Sequence, residues 1–243
     1  EDEKVSVRFA DQNIVAVPYD MPIIGYGTDN IGTLRLWQAE TETPFDFNLF
    51  NEQQYDKSVA AANRAEDISR VLYPNDSTDA GKILRLKQQY FFCSASLQDI
   101  IKKFKKVHGG DFSKFADLNA IQLNDTHPVI AIPELIRLLT DGENLTFDEA
   151  LAICKKVFAY TNHTILAEAL EKWSSHLMIS TIPRVYDIIV KIDEALGKEL
   201  SALGVPSDKA ASMRIIQNNT VHMAHMAIFA SQYVNGVAQL LVV

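Results

Sequence analysis

The sequence is poor in cysteine, with only Cys93 and Cys154 among its 243 residues. They form no C-x-x-C pair and lack the spacing typical of a zinc site, so we expect both to be buried apolar thiols in a reducing compartment. The sequence also lacks an apolar run of about 18 residues and a signal-peptide pattern, which predicts that this segment does not span a membrane. We therefore expect a cytoplasmic protein.

Positive charge and common enzyme signatures are scarce as well. The 23 Lys and Arg residues are outnumbered by 31 Asp and Glu residues, giving a net charge of −8. This balance argues against binding nucleic acid or an anionic membrane through bulk electrostatics. The sequence contains no G-x-G-x-x-G, P-loop, G-x-S-x-G or H-E-x-x-H motif, which disfavours the common nucleotide-binding, hydrolase and metalloprotease classes.

The composition is that of an ordinary globular domain, with 47% apolar and 22% charged residues. No linker rich in Gly, Ser or Pro divides it, so we predict one compact unit over residues 1–243. Alternating apolar residues at 5–9 and 14–17 predict an N-terminal β-hairpin. The prolines and glycines of residues 18–32 predict an irregular segment before another strand at 33–39.

The elements predicted after residue 52 indicate an α/β fold that is rich in helices. Hydrophobic periodicity predicts helices over residues 52–72, from 83 to the Gly109-Gly110 pair, and over 185–196 and 221–231. A capping box, Thr146-x-x-Glu149, predicts another helix that runs toward Tyr160. Short helical pieces are predicted around Glu168 and Glu171. Strands are predicted over residues 119–123 and 234–243.

Two polar clusters lie where regular elements end: Asn-Asp-Thr-His at 124–127 and Thr-Asn-His-Thr at 161–164. The first follows a predicted strand, and in α/β sheets ligands bind at the carboxyl ends of strands. These side chains suit hydroxyl-rich ligands, sugars above all, because they form directed hydrogen bonds without requiring a counter-charge. The alternative is that Asp125 and Thr126 cap the next helix and that His163 is a core histidine.

A metal site is a second alternative. His222 and His225 lie three residues apart in a predicted helix and could share one face, as in a zinc hydrolase. The sequence offers no convincing third ligand, and we predict no metal.

Longer segments closely resemble the α-glucan (glycogen and maltodextrin) phosphorylases. The matching segments are VPYD at 17–20, LRLW at 34–37, ISRVLYPND at 68–76, LRLKQ at 84–88, IQLNDTHP at 121–128, AIPEL at 131–135, YTNHT at 160–164, EALE at 168–171 and VNGVA at 234–238. They occur in the family's order over nearly the whole chain.

The resemblance implies the middle portion of the N-terminal, Rossmann-like domain of a GT-B glycosyltransferase. Enzymes of this family use phosphate to release glucose 1-phosphate from the non-reducing ends of α-1,4-glucans, with pyridoxal phosphate as cofactor. The family's glycine-rich loop would precede residue 1. The C-terminal domain, with the cofactor lysine, would follow residue 243. We therefore expect this chain alone to contain no bond-making residue, to bind no cofactor and to be inactive.

The resemblance also assigns substrate-binding residues. His163 matches the histidine that holds the glucosyl 6-hydroxyl, and Asp125 and His127 match a strand-end pair in the same cleft. Glu168 and Glu171 match carboxylates near the sugar and its waters. These groups would bind and orient the sugar and exclude water.

Asn75, Asp76 and Ser77 match the gate loop over the active site, although serine replaces the amide commonly found at the third position. Lys102 and Lys103 replace paired arginines that serve activation in animal members, which argues against that regulation. The resemblance implies a homodimeric enzyme whose partners are an α-1,4-glucan and phosphate. The alternative function is a non-catalytic carbohydrate-binding or subunit-interaction module.

Overall fold

The structure, a computed structural model, describes residues 3–164, 166, 168 and 170–238. Its mixed α/β architecture, rich in helices and opened by a β-hairpin, confirms the predicted fold class. Internal contacts divide the chain into two compact units, residues 1–99 and 100–243, with the boundary inside one long helix. The organisation as a single unit within a larger domain stays a prediction.

The first unit opens with an antiparallel sheet of three strands, β1 (Val5–Arg8), β2 (Asn13–Ile24) and β3 (Ile31–Glu40), in that order. Val7 pairs with Ile14, and Ala16 pairs with Ala39. All four side chains are buried. The predicted hairpin and third strand are therefore confirmed, with one face of the sheet in the core.

The prediction of an irregular segment over residues 18–32 is wrong for residues 18–24, because β2 continues through Pro18 and Pro22 to Ile24, and for residues 31–32, which belong to β3. Residues 25–30 are irregular, as predicted. In the described register, β1 pairs only with residues 13–16 of β2, so the rest of β2 pairs on one side, with β3. A strand tolerates proline where the missing N–H faces an unpaired edge. The two prolines are therefore compatible with a long β2–β3 ribbon.

One side of this ribbon is apolar and exposed. Tyr19 pairs with Leu36 and Met21 pairs with Leu34 across the two strands, and Ile23 continues the same row. These five side chains, which we call the ribbon face, are each between 43% and 58% exposed.

The helices of the first unit are α1 (Phe47–Asn51), α2 (Tyr55–Ser58), α3 (Ala60–Arg70) and α4 (Asp79–His108), which runs on into the second unit. The helix predicted over residues 52–72 is thus two helices, interrupted at Val59, where ψ is 3°. The Ser69 hydroxyl accepts a 3.0 Å hydrogen bond from the Ala39 amide and joins α3 to β3. The long predicted helix is confirmed, and Gly109, with φ of 64°, follows its end.

The second unit contains α5 (Phe115–Leu118), β4 (Ile121–Asn124), α6 (Ala131–Arg137), α7 (Phe147–Val157), β5 (Phe158–Asn162), β6 (Lys172–Ser174), α8 (Ser175–Thr181), α9 (Pro183–Ala202), α10 (Ser207–Met213), β7 (Ile216–Gln217), β8 (Thr220–His222), α11 (Met223–Ala230) and β9 (Tyr233–Gly236). A 3-10 turn (Phe112–Lys114) precedes α5, and a π-helical turn (Leu138–Gly142) follows α6.

The core of the second unit is built on a parallel sheet in the order β4-β5-β9. Parallel neighbours need crossover connections, and α6 and α7 connect β4 to β5. Helix α6 packs against α7 and α9, and α11 packs against β5. The small antiparallel sheet has the order β6-β8-β7.

Several boundaries differ from the predictions. Helix α7 ends at Val157 instead of continuing toward Tyr160, because residues 158–162 are extended and pair with β4. The segment 221–231 begins as strand, and α11 starts only at Met223. The terminal strand is confirmed over Tyr233–Gly236, while residues 239–243 of that prediction lie outside the described residues. Within the described ranges, no helix combines the length and apolarity needed to cross a membrane.

Candidate functional site

The carboxyl ends of β4, β5 and β9 meet at one edge of the parallel sheet. Asn124 pairs with Thr161, which pairs in turn with Asn235. The two polar clusters predicted from sequence, 124–127 and 161–164, are therefore neighbours. Asn235 joins them and is absent from the predicted site residues. The signal for it in the sequence is its position in the VNGVA segment, near the start of a predicted strand.

A line of side-chain hydrogen bonds crosses this sheet. The Gln122 amide donates a 2.7 Å hydrogen bond to the Thr161 hydroxyl. That hydroxyl donates to Asn235 Oδ1, also at 2.7 Å. Because each group constrains the next, the polar side chains near the carboxyl edge are held in place before any ligand binds.

Asp125 turns the chain sharply where β4 ends. Its φ is 63°, in the left-handed region that Asp tolerates better than most residues. Its amide donates to the Thr161 carbonyl at 2.9 Å, and its Oδ1 accepts from the Thr126 amide at 2.6 Å. The alternative of a simple helix cap is wrong, because α6 begins at Ala131 with Ile130 at its N-cap.

Thr126 links this turn to Glu171. The buried Thr126 hydroxyl lies 3.3 Å from Asp125 Oδ1 and accepts a 3.4 Å hydrogen bond from the Glu171 amide. The Glu171 carbonyl accepts from the Met223 amide at 3.2 Å. Glu171 lies in no regular element, directly before β6, so its predicted helical setting is wrong. The Thr126 hydroxyl thus links the Asp125 side chain to the Glu171 backbone.

Tyr160 lies in β5 beside this group and is only 2% exposed. Within the described part of the chain its hydroxyl has no hydrogen-bond partner. Burial and then the negative charge of Asp125 raise the pKa of Tyr160 to about 12, so the hydroxyl stays protonated near neutral pH. Tyr160 is not among the predicted site residues, and its signal in the sequence is its place at the start of the YTNHT segment.

His163 lies in a braced turn directly after β5. The Asn162 side chain donates to the Thr164 carbonyl at 2.9 Å and accepts from the Thr164 amide at 3.3 Å. His163 between them is exposed, so the alternative of a buried core histidine is wrong. His127, after β4, is exposed as well. Both rings can therefore be reached from solvent at the edge where β4 and β5 end.

Two groups of predicted site residues are not joined to this cluster by the described contacts. Glu168 is exposed, and its neighbours 167 and 169 lie outside the described residues. Asn75, Asp76 and Ser77 are exposed residues of the first unit, preceding α4. Their assignment to a sugar site stays a prediction.

The histidine pair and the cysteines have other surroundings. The His222 and His225 rings lie 5.0 Å apart, and His225 Nδ1 is 2.9 Å from the Arg214 carbonyl oxygen. Burial, then the neighbouring His225, lowers the pKa of His222. Among the residues that the structure describes, no three His, Cys, Asp or Glu side chains are grouped to hold a metal. Cys154 is fully buried, which raises the pKa of its thiol, whereas Cys93 is half-buried.

Comparisons with known proteins agree on one family. The family model for carbohydrate phosphorylases matches residues 1–242. The H isozyme of alpha-glucan phosphorylase from Vicia faba is 49% identical over 235 residues, covering 93% of this chain and 28% of that protein. Glycogen phosphorylase from Saccharomyces cerevisiae is 48% identical, covering 94% of this chain and 26% of that protein. The cytosolic alpha-glucan phosphorylase 2 of Arabidopsis thaliana is 46% identical, covering 97% of this chain and 29% of that protein. The chain thus spans little more than a quarter of the length of these relatives.

Proposed function

Because this chain belongs to the carbohydrate phosphorylase family, we propose that it is part of an α-glucan phosphorylase and supplies part of the glucosyl-binding pocket. The observation that carries this proposal is the polar edge of the parallel sheet, where Asp125, His163 and Asn235 follow or end neighbouring strands. Amide, hydroxyl, imidazole and carboxylate groups held in this way suit a ligand rich in hydroxyls.

In this proposal each group has a binding role. His163, exposed in its braced turn, holds a sugar hydroxyl. Asp125 and Glu171, linked through Thr126, accept hydrogen bonds from sugar hydroxyls or from ordered water. His127 and Glu168 are further sugar contacts in this proposal, and the gate-loop role that the resemblance implies for Asn75, Asp76 and Ser77 stays part of it. The pocket thereby orients the glucosyl unit, which is how such groups lower a barrier without forming bonds.

Pyridoxal phosphate belongs to this proposal only for the longer protein, where it would supply acid–base chemistry through its phosphate. The Asp125 carboxylate at the described sheet edge suits hydroxyls and would repel a phosphate dianion, and Glu171 adds a second negative charge to the proposed set. These residues therefore do not fit the cofactor, and no step through it is assigned to them. The transfer step, in which phosphate takes the terminal glucosyl unit of an α-1,4-glucan to give glucose 1-phosphate and a glucan one unit shorter, would use groups outside residues 1–243.

The same proposal includes a GT-B architecture, a homodimeric state and a cytoplasmic location for the longer protein. The net charge of −8 favours a neutral glucan over nucleic acid or an anionic membrane as partner. The alternative, a non-catalytic carbohydrate-binding or subunit-interaction module, predicts a natural reading frame without a second, cofactor-binding domain.

The test is His163→Ala in the full-length natural protein. Loss of the imidazole should lower kcat/KM for phosphorolysis of maltodextrin by about a hundredfold, as expected when a hydrogen bond that orients the reacting sugar is removed. Pyridoxal phosphate should stay bound, as read from its absorbance. The matched control is His176→Ala, which removes an exposed histidine from α8.

Unchanged turnover in His163→Ala would contradict the assigned site. A natural protein that binds maltodextrin but releases no glucose 1-phosphate would instead support the non-catalytic module. Equal losses in both histidine variants would show that the effect is not specific to the sheet edge.

A further inference from the structure

We propose that His222 and His225 make the sugar site sensitive to mild acid, because protonation of the pair loosens the contacts among β6, β8 and α11. We call these contacts the histidine junction. The inference rests on the proposed function, since it adds a form of regulation of the same sugar site. All the contacts that carry it lie within the second unit.

The two histidine rings are neighbours at the point where β8 becomes α11. Their centroids lie 5.0 Å apart, and the ring planes are inclined by 31°. His225 Nδ1 is 2.9 Å from the Arg214 carbonyl oxygen, and because a carbonyl only accepts, Nδ1 carries the proton of the neutral ring. A further proton on either ring places a positive charge beside the other, and two charged rings would repel each other.

The surroundings of His222 are also unfavourable to a positive charge. His222 is the N-cap of α11, where the helix dipole is positive. Lys172 lies directly opposite it in the pairing of β6 with β8. Burial, then His225, then Lys172 lower the pKa of His222, in agreement with this geometry. The closed histidine junction therefore favours the neutral ring.

The charged groups on the neighbouring helices are engaged with one another. The Arg214 side chain, near the start of β7, is bound by Asp193 of α9. Lys155 of α7 pairs with Glu199 of α9. Strand β5, which packs against α11, contains no charged residue. Among the residues that the structure describes, neither histidine ring is hydrogen-bonded to a carboxylate that would stabilise its charged form.

Backbone contacts extend from the histidine junction to the Asp125 turn. The amide of Met223, the residue after His222, donates to the Glu171 carbonyl at 3.2 Å. The Glu171 amide donates to the Thr126 hydroxyl at 3.4 Å, and that hydroxyl lies 3.3 Å from Asp125 Oδ1. If the junction opens, Glu171 loses its bond to α11. The Asp125 turn then loses a fixed neighbour.

The direction of the pH dependence follows from the lowered pKa of His222. In the open junction this imidazole has its ordinary pKa of about 6.5, so the open form binds a proton more readily than the closed form. The stability of the closed junction is therefore fully present above the ordinary pKa and is lost as the pH falls toward the lowered one. An open junction leaves binding groups to be ordered by the ligand, which raises KM more than it lowers kcat.

The experiment measures hydrogen exchange at the Met223 and Glu171 amides of the full-length natural protein at about pH 7.5 and about pH 5. Protection, corrected for the intrinsic exchange rate at each pH, should be about three- to tenfold lower in acid, because one pKa unit changes opening about tenfold. In His222→Gln, which cannot gain the proton, protection should fall by less than about twofold.

The kinetic measurement compares the two proteins at each pH, because phosphate titrates in the same range. KM for maltodextrin should be equal in both at about pH 7.5 and about threefold higher in the unsubstituted protein at about pH 5. The matched control is His176→Gln on α8, which removes an exposed histidine outside the pair and should behave as the unsubstituted protein does. Lys172→Gln removes the charge opposite His222 and should reduce the loss of protection.

Four outcomes would contradict these statements. Constant protection in the unsubstituted protein would overturn the proposal, as would a loss of protection that persists unchanged in both His222→Gln and Lys172→Gln. Equal KM in the unsubstituted protein and His222→Gln at about pH 5 would overturn the link to the sugar site. Absence of phosphorolysis in the unsubstituted protein at neutral pH would contradict the proposed function alone, because hydrogen exchange does not depend on activity.

Discussion

Asp193 is a buried carboxylate on α9 that organises a segment distant in sequence. Its Oδ1 accepts from Arg214 Nε at 2.9 Å and from the Ile215 amide at 2.7 Å, and its Oδ2 accepts from Arg214 Nη2. The Asp193 side chain is 7% exposed. One carboxylate thus holds the connection between α10 and β7 onto α9.

Asp193→Ala should destabilise the folded protein by about 2–4 kcal/mol, because it leaves a buried amide and a paired guanidinium without their acceptor. The midpoint of urea unfolding measures the change. Glu194→Ala, at the exposed next position of α9, is the control and should shift stability by no more than about 0.5 kcal/mol. Equal effects of the two substitutions would contradict the anchoring role.

At the residue scale, the sequence predicted the site residues that are marked by their immediate neighbours along the chain. Asp125 and His163 could be singled out because polar residues follow apolar segments. The contact between Thr126 and Glu171 could not be predicted, because the two residues are 45 positions apart and no local sequence pattern indicates that they are in contact. The buried Tyr160 hydroxyl was missed for the same reason, since its surroundings come from the fold.

At the element scale, α7 shows the most direct path from sequence to structure. Thr146 Oγ1 accepts from the Glu149 amide at 3.3 Å, and Glu149 Oε2 accepts from the Thr146 amide at 2.8 Å. This is the capping box predicted from sequence. The Thr146 hydroxyl, then its amide, lowers the pKa of Glu149. The folded state therefore favours the ionised carboxylate.

Thr146→Ala should lower the free energy of unfolding by about 1 kcal/mol at neutral pH, since the first turn of α7 loses its cap. Thr146→Ser keeps the hydroxyl and should restore most of the loss. Because the Glu149 pKa is lowered on folding, its contribution is present above its ordinary pKa and is lost as the pH falls through the lowered value. The difference between the threonine and alanine forms should narrow on acidification, as measured by urea unfolding at several pH values. A constant difference would contradict the contribution of Glu149.

Boundaries of elements were harder to predict than their existence. Residues 158–162 continue an apolar pattern that suits either a helix or a strand, and only pairing with β4 decides for the strand. Pro18 and Pro22 favour irregular chain by local preference, and only the unpaired side of β2 makes them compatible with a strand. In both segments tertiary pairing overrides the local signal.

At the scale of the whole molecule, the proposed function assigns sugar binding to this chain and bond cleavage to the remainder of a longer protein. The chain spans 28% of the Vicia faba relative. In the proposed function, the residues of this chain would bind and orient the sugar, and the groups that move protons and phosphate would belong to other parts of the longer protein. Sugar binding and bond cleavage should therefore be separable in experiments.

A protein of residues 1–243 alone should release no measurable glucose 1-phosphate from maltodextrin and phosphate, because binding groups without the reacting groups do not catalyse transfer. A coupled assay for glucose 1-phosphate measures this. The full-length protein at the same molar concentration is the control. Turnover by residues 1–243 would contradict the proposed division of roles.

The ribbon face also has a consequence for how this polypeptide behaves in solution. The ribbon face is an exposed apolar surface, which favours association with other apolar surfaces. It lies next to the side of β2 that has no partner strand beyond residue 16 among the described residues. N–H groups of alternate residues point to the same side of a strand, so Pro18 and Pro22 remove donors from one side. Another polypeptide that added to this edge as a further strand would lack hydrogen-bond donors at Pro18 and Pro22. The missing donors disfavour the growth of fibres by strand addition. The same two prolines that favoured irregular chain in the sequence prediction thus reduce the tendency of this strand edge to aggregate.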